Sequence, residues 1–455
     1  MADRTVLIVG AGPAGTRAAE RVAAAGLRPV VVDEAAANGG QIYRRQPAGF
    51  RRPAQTLYGF ESGKAVAVHG AFAALGDRID YRPLTLVWHL WESEAHLLTG
   101  TTASRQQYDA LILATGATDR IMPLPGWTLP GVFSLGAAQI ALKAQGCAIG
   151  SRVVLLGTGP LLPLVAYQYA RAGATVAAVL DTSTLGAAIR ALPALAARPG
   201  MLAKGLYYTA WLLKAGIPFH RGITPTAIEG TDGVAAIRYR TADGIERQVA
   251  CDAIGLGYGL RSETQLADLA RCDFAFDAVA RQWLPATDAD GRTSTPGVYL
   301  AGDGARILGA DAAEIAGKLA ACAALQDLGI AVPDAEMAAY RAALAPMDRF
   351  RVGLDTAYPW PAHFAAGLPD TAVVCRCECI TAGDIRDVAR EKGAPEVNRA
   401  KAFSRLGMGR CQGRMCGAAG AEVLADALGV RLEEVGRLRG QGPVKPLPLA
   451  TGIAP

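Results

Sequence analysis

Short apolar runs alternate with helical stretches along most of the chain. The first run, Thr5–Val9, is followed by a glycine-rich turn, a helical stretch at Thr16–Ala25 and a second apolar run at Pro29–Val32. Later runs are equally short and are bounded by turn residues; they lie at Tyr108–Ala114, Arg152–Leu156, Thr175–Leu180 and Gly297–Leu300. This alternation predicts an α/β fold with parallel sheets that carry helices on both faces.

The N-terminal strand–helix–strand pattern occurs a second time. Arg152–Leu156, a helical stretch at Leu161–Ala172 and Thr175–Leu180 repeat it in the same order. The chain is also too long for a single core, which stops growing at about 250–300 residues. We therefore predict a first nucleotide-binding unit at 1–120 and 251–330, a second at 121–250, a connector at 331–370, a cysteine-bearing module at 371–430 and a Pro/Gly-rich tail at 431–455.

Charge and hydropathy exclude several classes of protein. The chain carries 46 basic and 41 acidic residues, interspersed, for a formal net charge of +5. This small excess predicts no nucleic-acid-binding surface. Half of the residues are hydrophobic, but apolar stretches such as 153–170 are interrupted by glycine and proline. A spanning helix needs about 18 largely apolar residues, so we predict no membrane span. The chain begins without the pattern of a secretory signal, and we expect a cytoplasmic protein.

The first glycine-rich turn has the pattern of a dinucleotide-binding site. Gly10 permits a tight turn, Gly12 lets a pyrophosphate approach the backbone, and Gly15 lets the helix pack against the sheet. The helix that follows presents free N–H groups and a positive dipole end to phosphates. Asp33 lies 23 residues after Gly10, where a carboxylate can bind the ribose hydroxyls. The predicted site also includes the neighbouring residues Pro13, Ala14 and Glu34.

Three later segments indicate FAD rather than NAD. Gly39-Gly40-Gln41 resembles the segment that passes near the flavin ring in flavoproteins with two dinucleotide-binding domains. Thr115-Gly116 resembles their mid-chain strand end, and Gly302-Asp303 resembles their late FAD motif. The resemblance implies that Asp303 binds a ribityl hydroxyl; the alternative role is a helix N-cap. Arg44 and Arg45 are either phosphate ligands or a solvated pair.

The second glycine-rich turn departs from the pattern. Gly157 and Gly159 are present, followed by Pro160 and Leu161, but Leu162 holds the third glycine position. A bulkier residue there pushes the helix away from the strand. The acid, Asp181, comes one place late, and no arginine cluster follows for a 2′-phosphate. NADP is therefore disfavoured, while NAD, another adenine nucleotide or an empty site remain open.

Five of the nine cysteines lie within 42 residues near the C-terminus. In a chain without a secretory signal, such a cluster indicates metal rather than disulfides. Two pairs, C-x-C and C-x4-C, supply four candidate ligands: Cys375, Cys377, Cys411 and Cys416. Four thiolates can hold a [2Fe–2S] cluster, whereas structural zinc more often uses C-x2-C pairs. We favour the cluster over zinc, and we interpret Cys379 as a small apolar neighbour rather than a ligand.

No catalytic residue is predicted. The second unit has no nearby cysteine pair for disulfide chemistry, and the five histidines are scattered along the chain. Neither an acid–base pair nor an activated nucleophile can be assigned from the sequence. The predicted chemistry therefore belongs to the cofactors.

The combination of motifs resembles a known family. The two dinucleotide motifs are followed by Cys375-Arg376-Cys377-Glu378 and by a glycine-rich segment, Arg405–Cys416. The chain is similar to the flavoprotein α subunit of bacterial hetero-oligomeric amine dehydrogenases, of the opine oxidase, D-hydroxyproline dehydrogenase, hydrogen cyanide synthase and dye-linked proline dehydrogenase type. The segments 123–132 and 159–162 share this likeness, so Leu162 is interpreted as a family trait. The cysteine module resembles a bacterioferritin-associated-ferredoxin-like [2Fe–2S] domain, and Cys379 departs from that pattern.

The resemblance implies a two-dinucleotide-binding flavoprotein of the glutathione-reductase type with a small helical [2Fe–2S] domain. It implies a partner β subunit of the D-amino-acid-oxidase type that binds the amine, and it leaves open a small γ iron–sulfur subunit. FMN at a subunit interface and an adenine nucleotide at the second site are also left open. The expected reaction is oxidation of a secondary amine C–N bond, as in proline, D-hydroxyproline, octopine or nopaline, with electrons passing to a non-nicotinamide acceptor. The alternatives are an NAD(P)H-dependent reductase and a non-catalytic subunit that holds nucleotides.

Overall fold

The computed structural model describes residues 4–453. The first third of the chain forms a strand–helix–strand unit and an antiparallel sheet. Its elements are β1 (Val6–Val9), α1 (Pro13–Ala24), β2 (Val30–Val32), α2 (Ala54–Tyr58), α3 (Ser62–Ala73), β3 (Asp80–Arg82), β4 (Thr85–Trp91), β5 (Glu94–Thr99), β6 (Thr102–Gln107), β7 (Ala110–Leu113) and β8 (Ala117–Asp119). Helix α1 begins earlier than its apolar pattern indicates, because proline suits the first position of a helix.

The middle third forms the second strand–helix–strand unit. Its elements are β9 (Val132–Ser134), α4 (Leu135–Ile140), β10 (Arg152–Thr158), α5 (Leu161–Arg171), β11 (Thr175–Asp181), α6 (Leu185–Leu195), α7 (Pro199–Lys214), β12 (Phe219–Arg221), β13 (Thr224–Glu229), β14 (Ala236–Arg240), β15 (Glu246–Ala250), β16 (Ala253–Tyr258) and β17 (Leu260–Ser262). A π-helical turn, Ala141–Gln145, extends α4.

The last third completes the first unit and adds the cysteine module. Its elements are α8 (Gln265–Leu269), β18 (Phe274–Asp277), β19 (Gln282–Pro285), β20 (Val298–Leu300), α9 (Ala310–Asp327), α10 (Asp334–Ala357), α11 (His363–Ala366), β21 (Val373–Cys375), β22 (Ile380–Thr381), α12 (Ala382–Glu391), α13 (Val397–Ser404), α14 (Gly417–Leu428), α15 (Leu432–Val435) and β23 (Gly452–Ile453).

The first parallel sheet has the strand order β20-β7-β1-β2-β3. Every residue of β1 and β7 is buried, as expected for strands covered on both faces. Helix α9 packs on α1 because Gly317 has no side chain; a Cβ there would overlap the carbonyl oxygen of Ala14. The sheet therefore brings the ends of β1, β2, β7 and β20 to one edge, where nucleotides bind in such folds.

The second parallel sheet has the order β12-β11-β10-β16-β9. Strand β16 pairs with β10 along its whole length, so the second unit extends to Tyr258. The sequence predicted that the second unit ends at residue 250, before this strand. That prediction differs from the structure because the glycine-rich segment Ala253–Tyr258 carries no local signal of the sheet that it joins. With two parallel sheets and a mostly helical C-terminal module, the α/β fold class is confirmed.

The connector and the tail both pack on the rest of the chain. Helix α10 runs from the core of the first unit, at Met337, to α6 of the second unit, where Gly353 lies against Leu195. The cysteine module shares one continuous core with the second unit. The tail returns to the antiparallel sheet, where Val444 is buried and β23 pairs with β6. Among residues 4–453, none of the helices combines the length and apolar character that crossing a membrane requires.

Candidate functional site

The first glycine-rich turn joins β1 to α1 at the edge of the first sheet. Gly10 and Gly15 are both required sterically, since a Cβ on Gly10 would overlap the carbonyl oxygen of Ala114, and one on Gly15 would overlap that of Gly10. Helix α1 has Gly12 as its N-cap, no side chain caps it, and no acidic residue lies in its first turn. Its first amide groups and its positive dipole end are therefore available to an anion, which fits the pyrophosphate of FAD.

Asp33 follows β2 and supports this turn. Its two carboxylate oxygens accept backbone N–H groups from Ala11 at 2.6 Å and from Ala35 at 2.7 Å. Burial raises the pKa of Asp33, although both hydrogen bonds oppose the shift. Each oxygen retains a second lone pair for a ribose hydroxyl. The neighbouring Glu34 is more exposed and pairs with Lys445 of the tail.

The Gly39–Gln41 segment crosses directly over the glycine-rich turn. Gly40 has a left-handed φ of 61°, and a Cβ there would lie 3.0 Å from the Cα of Gly12. Arg44 donates to the side chain of Gln41 at 2.6 Å, and Arg45 donates to Asn38 at 2.8 Å. In the described structure these two arginines therefore hold their own loop together.

The two later FAD segments meet beside this turn. A Cβ on Gly304 would lie 2.7 Å from Thr115 Oγ1 and 3.3 Å from the nitrogen of Gly116. One carboxylate oxygen of Asp303 accepts backbone N–H groups from Leu308 at 2.9 Å and Gly309 at 3.0 Å, just ahead of α9. These bonds fix the loop before α9, whose N-cap is Gly309 without a side-chain cap, so Asp303 does not have the helix N-cap role considered as its alternative. Its other oxygen makes no hydrogen bond among the described residues, so a ribityl contact is compatible with the same position.

The second glycine-rich turn is more closed. Leu162 belongs to α5 and is fully buried in the core that α5 and β10 share, which accommodates its side chain at the third glycine position. Asp181 is only 1% exposed, and one of its oxygens accepts the N–H of Ser183 at 2.8 Å. Burial raises the pKa of Asp181. The second carboxylate oxygen of Asp181 lies 3.9 Å from the guanidinium of Arg221, so the acid expected to bind a ribose is buried beside a cation.

The four predicted cluster ligands come together in the C-terminal module. Their thiols lie close enough to shift one another's pKa in three successive pairs, which link Cys375 to Cys416, Cys416 to Cys411, and Cys411 to Cys377. In the described part of the chain, no three His, Cys, Asp or Glu side chains converge as a site for a single ion would. Cys379 is exposed, adopts a left-handed φ of 55°, and approaches only the carbonyl oxygen of Arg376, at 3.9 Å.

The thiolate form is favoured at two of the four cysteines and disfavoured at the other two: burial raises the pKa of Cys377, and hydrogen bonding to Cys375 and Cys411 raises that of Cys416. The contact with Cys416 lowers the pKa of Cys375 to about 6 and that of Cys411 to about 5. The backbone N–H group of Gly407 also lowers the pKa of Cys375, and that of Gly413 also lowers the pKa of Cys411. Thiolates are the form that binds iron, and such N–H donors adjust its reduction potential. The donor set therefore fits a [2Fe–2S] cluster.

A salt bridge that the motifs did not predict joins the two sites. Arg414, inside the C-x4-C loop, donates to both carboxylate oxygens of Glu263 at 2.7 and 3.2 Å. Glu263 in turn pairs through its backbone with Gly116 and accepts the hydroxyl of Thr115 at 2.6 Å. No local pattern marks Glu263, so sequence reasoning had no signal for it.

A buried lysine beside the flavin-facing segment was also missed. Lys143 lies on the π-helical turn, is 4% exposed, and donates to the carbonyl oxygen of Ile42 at 3.1 Å. Burial lowers the pKa of Lys143 to about 8. The sequence did offer a signal for this residue, because Lys143 directly follows the largely apolar stretch 135–142.

Comparison with known proteins agrees with both sites. Residues 4–323 match the family described as pyridine nucleotide-disulphide oxidoreductase, and residues 373–426 match the BFD-like [2Fe-2S] binding domain. The chain is 40% identical to the A subunit of opine oxidase from Agrobacterium tumefaciens (strain Ach5), over 98% of this chain and 90% of that protein. It is 33% identical to the HcnB subunit of hydrogen cyanide synthase from Pseudomonas protegens, over 98% and 96%.

A solved structure shows the same fold over the whole chain. The crystal structure of L-proline dehydrogenase from P. horikoshii superposes with a TM-score of 0.70 at 20% identity, covering 98% of this chain and 79% of that one. The cofactors of the two matched families are FAD and a [2Fe–2S] cluster. The chain belongs to the pyridine nucleotide-disulphide oxidoreductase family, as a flavin-dependent oxidoreductase component of the group that includes these opine oxidase and hydrogen cyanide synthase subunits, with a C-terminal [2Fe–2S] domain.

Proposed function

We propose that this chain is the electron-transferring α subunit of an amine dehydrogenase complex that oxidises a secondary amine C–N bond. Its relatives are named as subunits of opine oxidase and hydrogen cyanide synthase. By this proposal a β subunit of the D-amino-acid-oxidase type binds the amine, and a non-nicotinamide acceptor takes the electrons. Proline, D-hydroxyproline, octopine and nopaline are the substrates to test. A cytoplasmic location and a small γ iron–sulfur subunit belong to the same proposal.

The observation that carries the proposal is the direct contact between the two cofactor sites. The C-x4-C loop is held by Arg414 against Glu263, and Glu263 is bonded to the Thr115–Gly116 turn. A cluster in that loop would lie against the FAD-binding fold. Such an arrangement suits a protein that relays electrons, because the chemistry of both groups is electron transfer.

The residues proposed to hold FAD are those of the first site. The α1 N-terminus would bind the pyrophosphate, Asp33 the adenosine ribose, and the free oxygen of Asp303 the ribityl chain. FAD supplies the capacity to accept two electrons and release them singly. The proposed cluster ligands are Cys375, Cys377, Cys411 and Cys416.

Reconstitution with a candidate β subunit tests the proposal. The chain is purified alone and after co-expression with a D-amino-acid-oxidase-like protein, and dye reduction is measured with proline, D-hydroxyproline, octopine and nopaline. We expect activity only in the complex, and we expect the visible spectrum of this chain to bleach when the substrate is added. Full activity of the chain alone would contradict its assignment as one component of a complex. An active complex in which this chain stays oxidised throughout turnover would contradict the relay.

A further inference from the structure

The contact between the cysteine loop and the FAD-binding fold is more extensive than one salt bridge. Besides the Glu263–Arg414 pair, Gln265 donates to the carbonyl oxygen of Gln412 at 2.6 Å. Arg261 donates to the carbonyl oxygen of Arg414 at 3.2 Å. Three side chains from the short segment 261–265 thus bind the loop that carries Cys411 and Cys416.

The salt bridge at the centre of this contact is shielded from water. The side chain of Glu263 is 13% exposed and that of Arg414 is 12% exposed. Although burial opposes ionisation, the guanidinium groups of Arg414 and Arg261 hold the pKa of Glu263 below its ordinary value. A bidentate Arg–carboxylate pair fixes orientation as well as distance. Loss of one partner leaves the other charged and buried, which is strongly unfavourable.

The other end of Glu263 is attached to the flavin side. Its N–H donates to the carbonyl oxygen of Gly116 at 2.9 Å, and its own carbonyl oxygen accepts the hydroxyl of Thr115 at 2.6 Å. The adjacent strand β17 pairs with β8, where Ser262 opposes Ala117. One residue therefore connects the turn proposed to face FAD with the loop that carries two cluster ligands.

We infer that Glu263 is a positioning residue that sets the geometry for electron transfer between FAD and the [2Fe–2S] cluster. This inference rests on the proposed relay function. FAD bound at the first site would supply the electron and a cluster bound by the cysteines would accept it, with no covalent bond formed or broken, and Glu263 would fix the position of one site relative to the other. Through its carboxylate and its backbone, Glu263 fixes the position of the C-x4-C loop relative to the Thr115–Gly116 turn.

A second salt bridge between the C-terminal part of the chain and the FAD-binding fold provides a matched control. Arg437 donates to both carboxylate oxygens of Asp268 on α8, at 2.8 and 2.7 Å, and its guanidinium lies 3.5 Å from the ring centroid of Phe274. It joins the C-terminal part of the chain to the FAD-binding fold, as Arg414 does. Among the described residues its side chain donates hydrogen bonds to Asp268, and to neither the C-x4-C loop nor the Thr115–Gly116 turn.

Flash photoreduction of the full chain, loaded with both cofactors, tests the inference without substrate or partner. Photoexcited deazaflavin with EDTA as the donor reduces the bound FAD, and absorbance then follows electron arrival at the cluster. We expect Glu263→Gln to slow this transfer by about tenfold, because the loop loses its buried ionic anchor. Iron and flavin content should stay near wild type, and the EPR spectrum of the reduced cluster should change. Arg437→Gln should transfer electrons at the wild-type rate.

Each outcome has a distinct meaning. If wild-type FAD never reduces the cluster, the relay itself is wrong. If wild type transfers electrons and Glu263→Gln matches it in rate and EPR spectrum, the inference about Glu263 is wrong. An equal loss in Arg437→Gln would also overturn it, since any tether would then suffice. Should Glu263→Gln fail to retain its cofactors, Arg414→Lys is the second variant; it keeps the positive charge but loses the bidentate pairing with Glu263, and we expect about a threefold slower transfer, with no slowing overturning the inference.

Discussion

Lys143 gives a prediction whose sign and size follow from its burial. Burial lowers the pKa of Lys143 to about 8 from an ordinary value of 10.5. Below pH 8 the side chain is protonated both in the folded and in the unfolded chain, so the folded protein bears the cost of a buried ammonium group. The difference between the two pKa values corresponds to about 3 kcal/mol.

The sign of the pH dependence follows from proton counting. Between pH 8 and 10.5 the unfolded chain still holds the proton that the folded chain has lost. Stability rises with pH wherever the unfolded state binds more protons. The wild-type chain should therefore gain about 3 kcal/mol over this window relative to a variant without the lysine.

Lys143→Met is the variant that isolates this effect, because methionine adapts its shape to the buried site. It leaves the carbonyl oxygen of Ile42 without its donor, a loss of about 1 kcal/mol that does not depend on pH. We expect the variant to be more stable than wild type by about 2 kcal/mol at pH 7 and less stable by about 1 kcal/mol at pH 10.5.

Urea unfolding of both proteins from pH 7 to 10.5, followed by far-UV circular dichroism, measures this difference. Lys214→Met is the control, since Lys214 is exposed at the end of α7 and its replacement removes a lysine without altering a buried site. Parallel profiles for wild type and Lys143→Met would show that Lys143 is not held with a lowered pKa, and the reasoning would fail. FAD release measured alongside would show whether the Ile42 contact also supports the flavin-facing segment.

Three further predictions concern the cofactor sites. Cys411→Ser should remove most of the bound iron while Cys379→Ser retains it, as iron and sulfide analysis will show; loss of iron in Cys379→Ser would make the fifth cysteine a ligand. Gly15→Val should abolish FAD binding, because its side chain would overlap the carbonyl oxygen of Gly10, whereas Gly63→Ala has open space and should bind FAD as wild type does in a flavin fluorescence titration. NADH and NADPH should fail to bleach the flavin within seconds, since Asp181 is 1% exposed; rapid bleaching in a stopped-flow trace would refute a closed second site.

Local patterns predicted the parts of the site that depend on local sequence. The glycine-rich turn could be identified because Gly10 and Gly15 meet steric requirements within one strand–turn–helix unit. The cysteine pairs could be identified because their spacing reflects ligand geometry. Glu263 could not, since its partner Arg414 lies 151 residues away and Glu263 itself belongs to no motif. The sheet to which β16 belongs could not be predicted either, because strand order depends on contacts across the whole sheet.

The second unit shows how a nucleotide-binding fold can take on a supporting role. Its sequence retains two of the three glycines and the acid, yet Leu162 is part of the core and Asp181 is buried near the end of α10. The same unit shares its core with the cysteine module, and Trp127 donates its indole N–H to the carbonyl oxygen of Val373 at 2.6 Å, two residues before the first ligand, Cys375. The shared core and the Trp127 hydrogen bond fix one side of the module. The Glu263–Arg414 pair fixes the side that faces the first unit. Contacts with both units restrain the cysteine module more than either could alone, because rotation about one contact is prevented by the other.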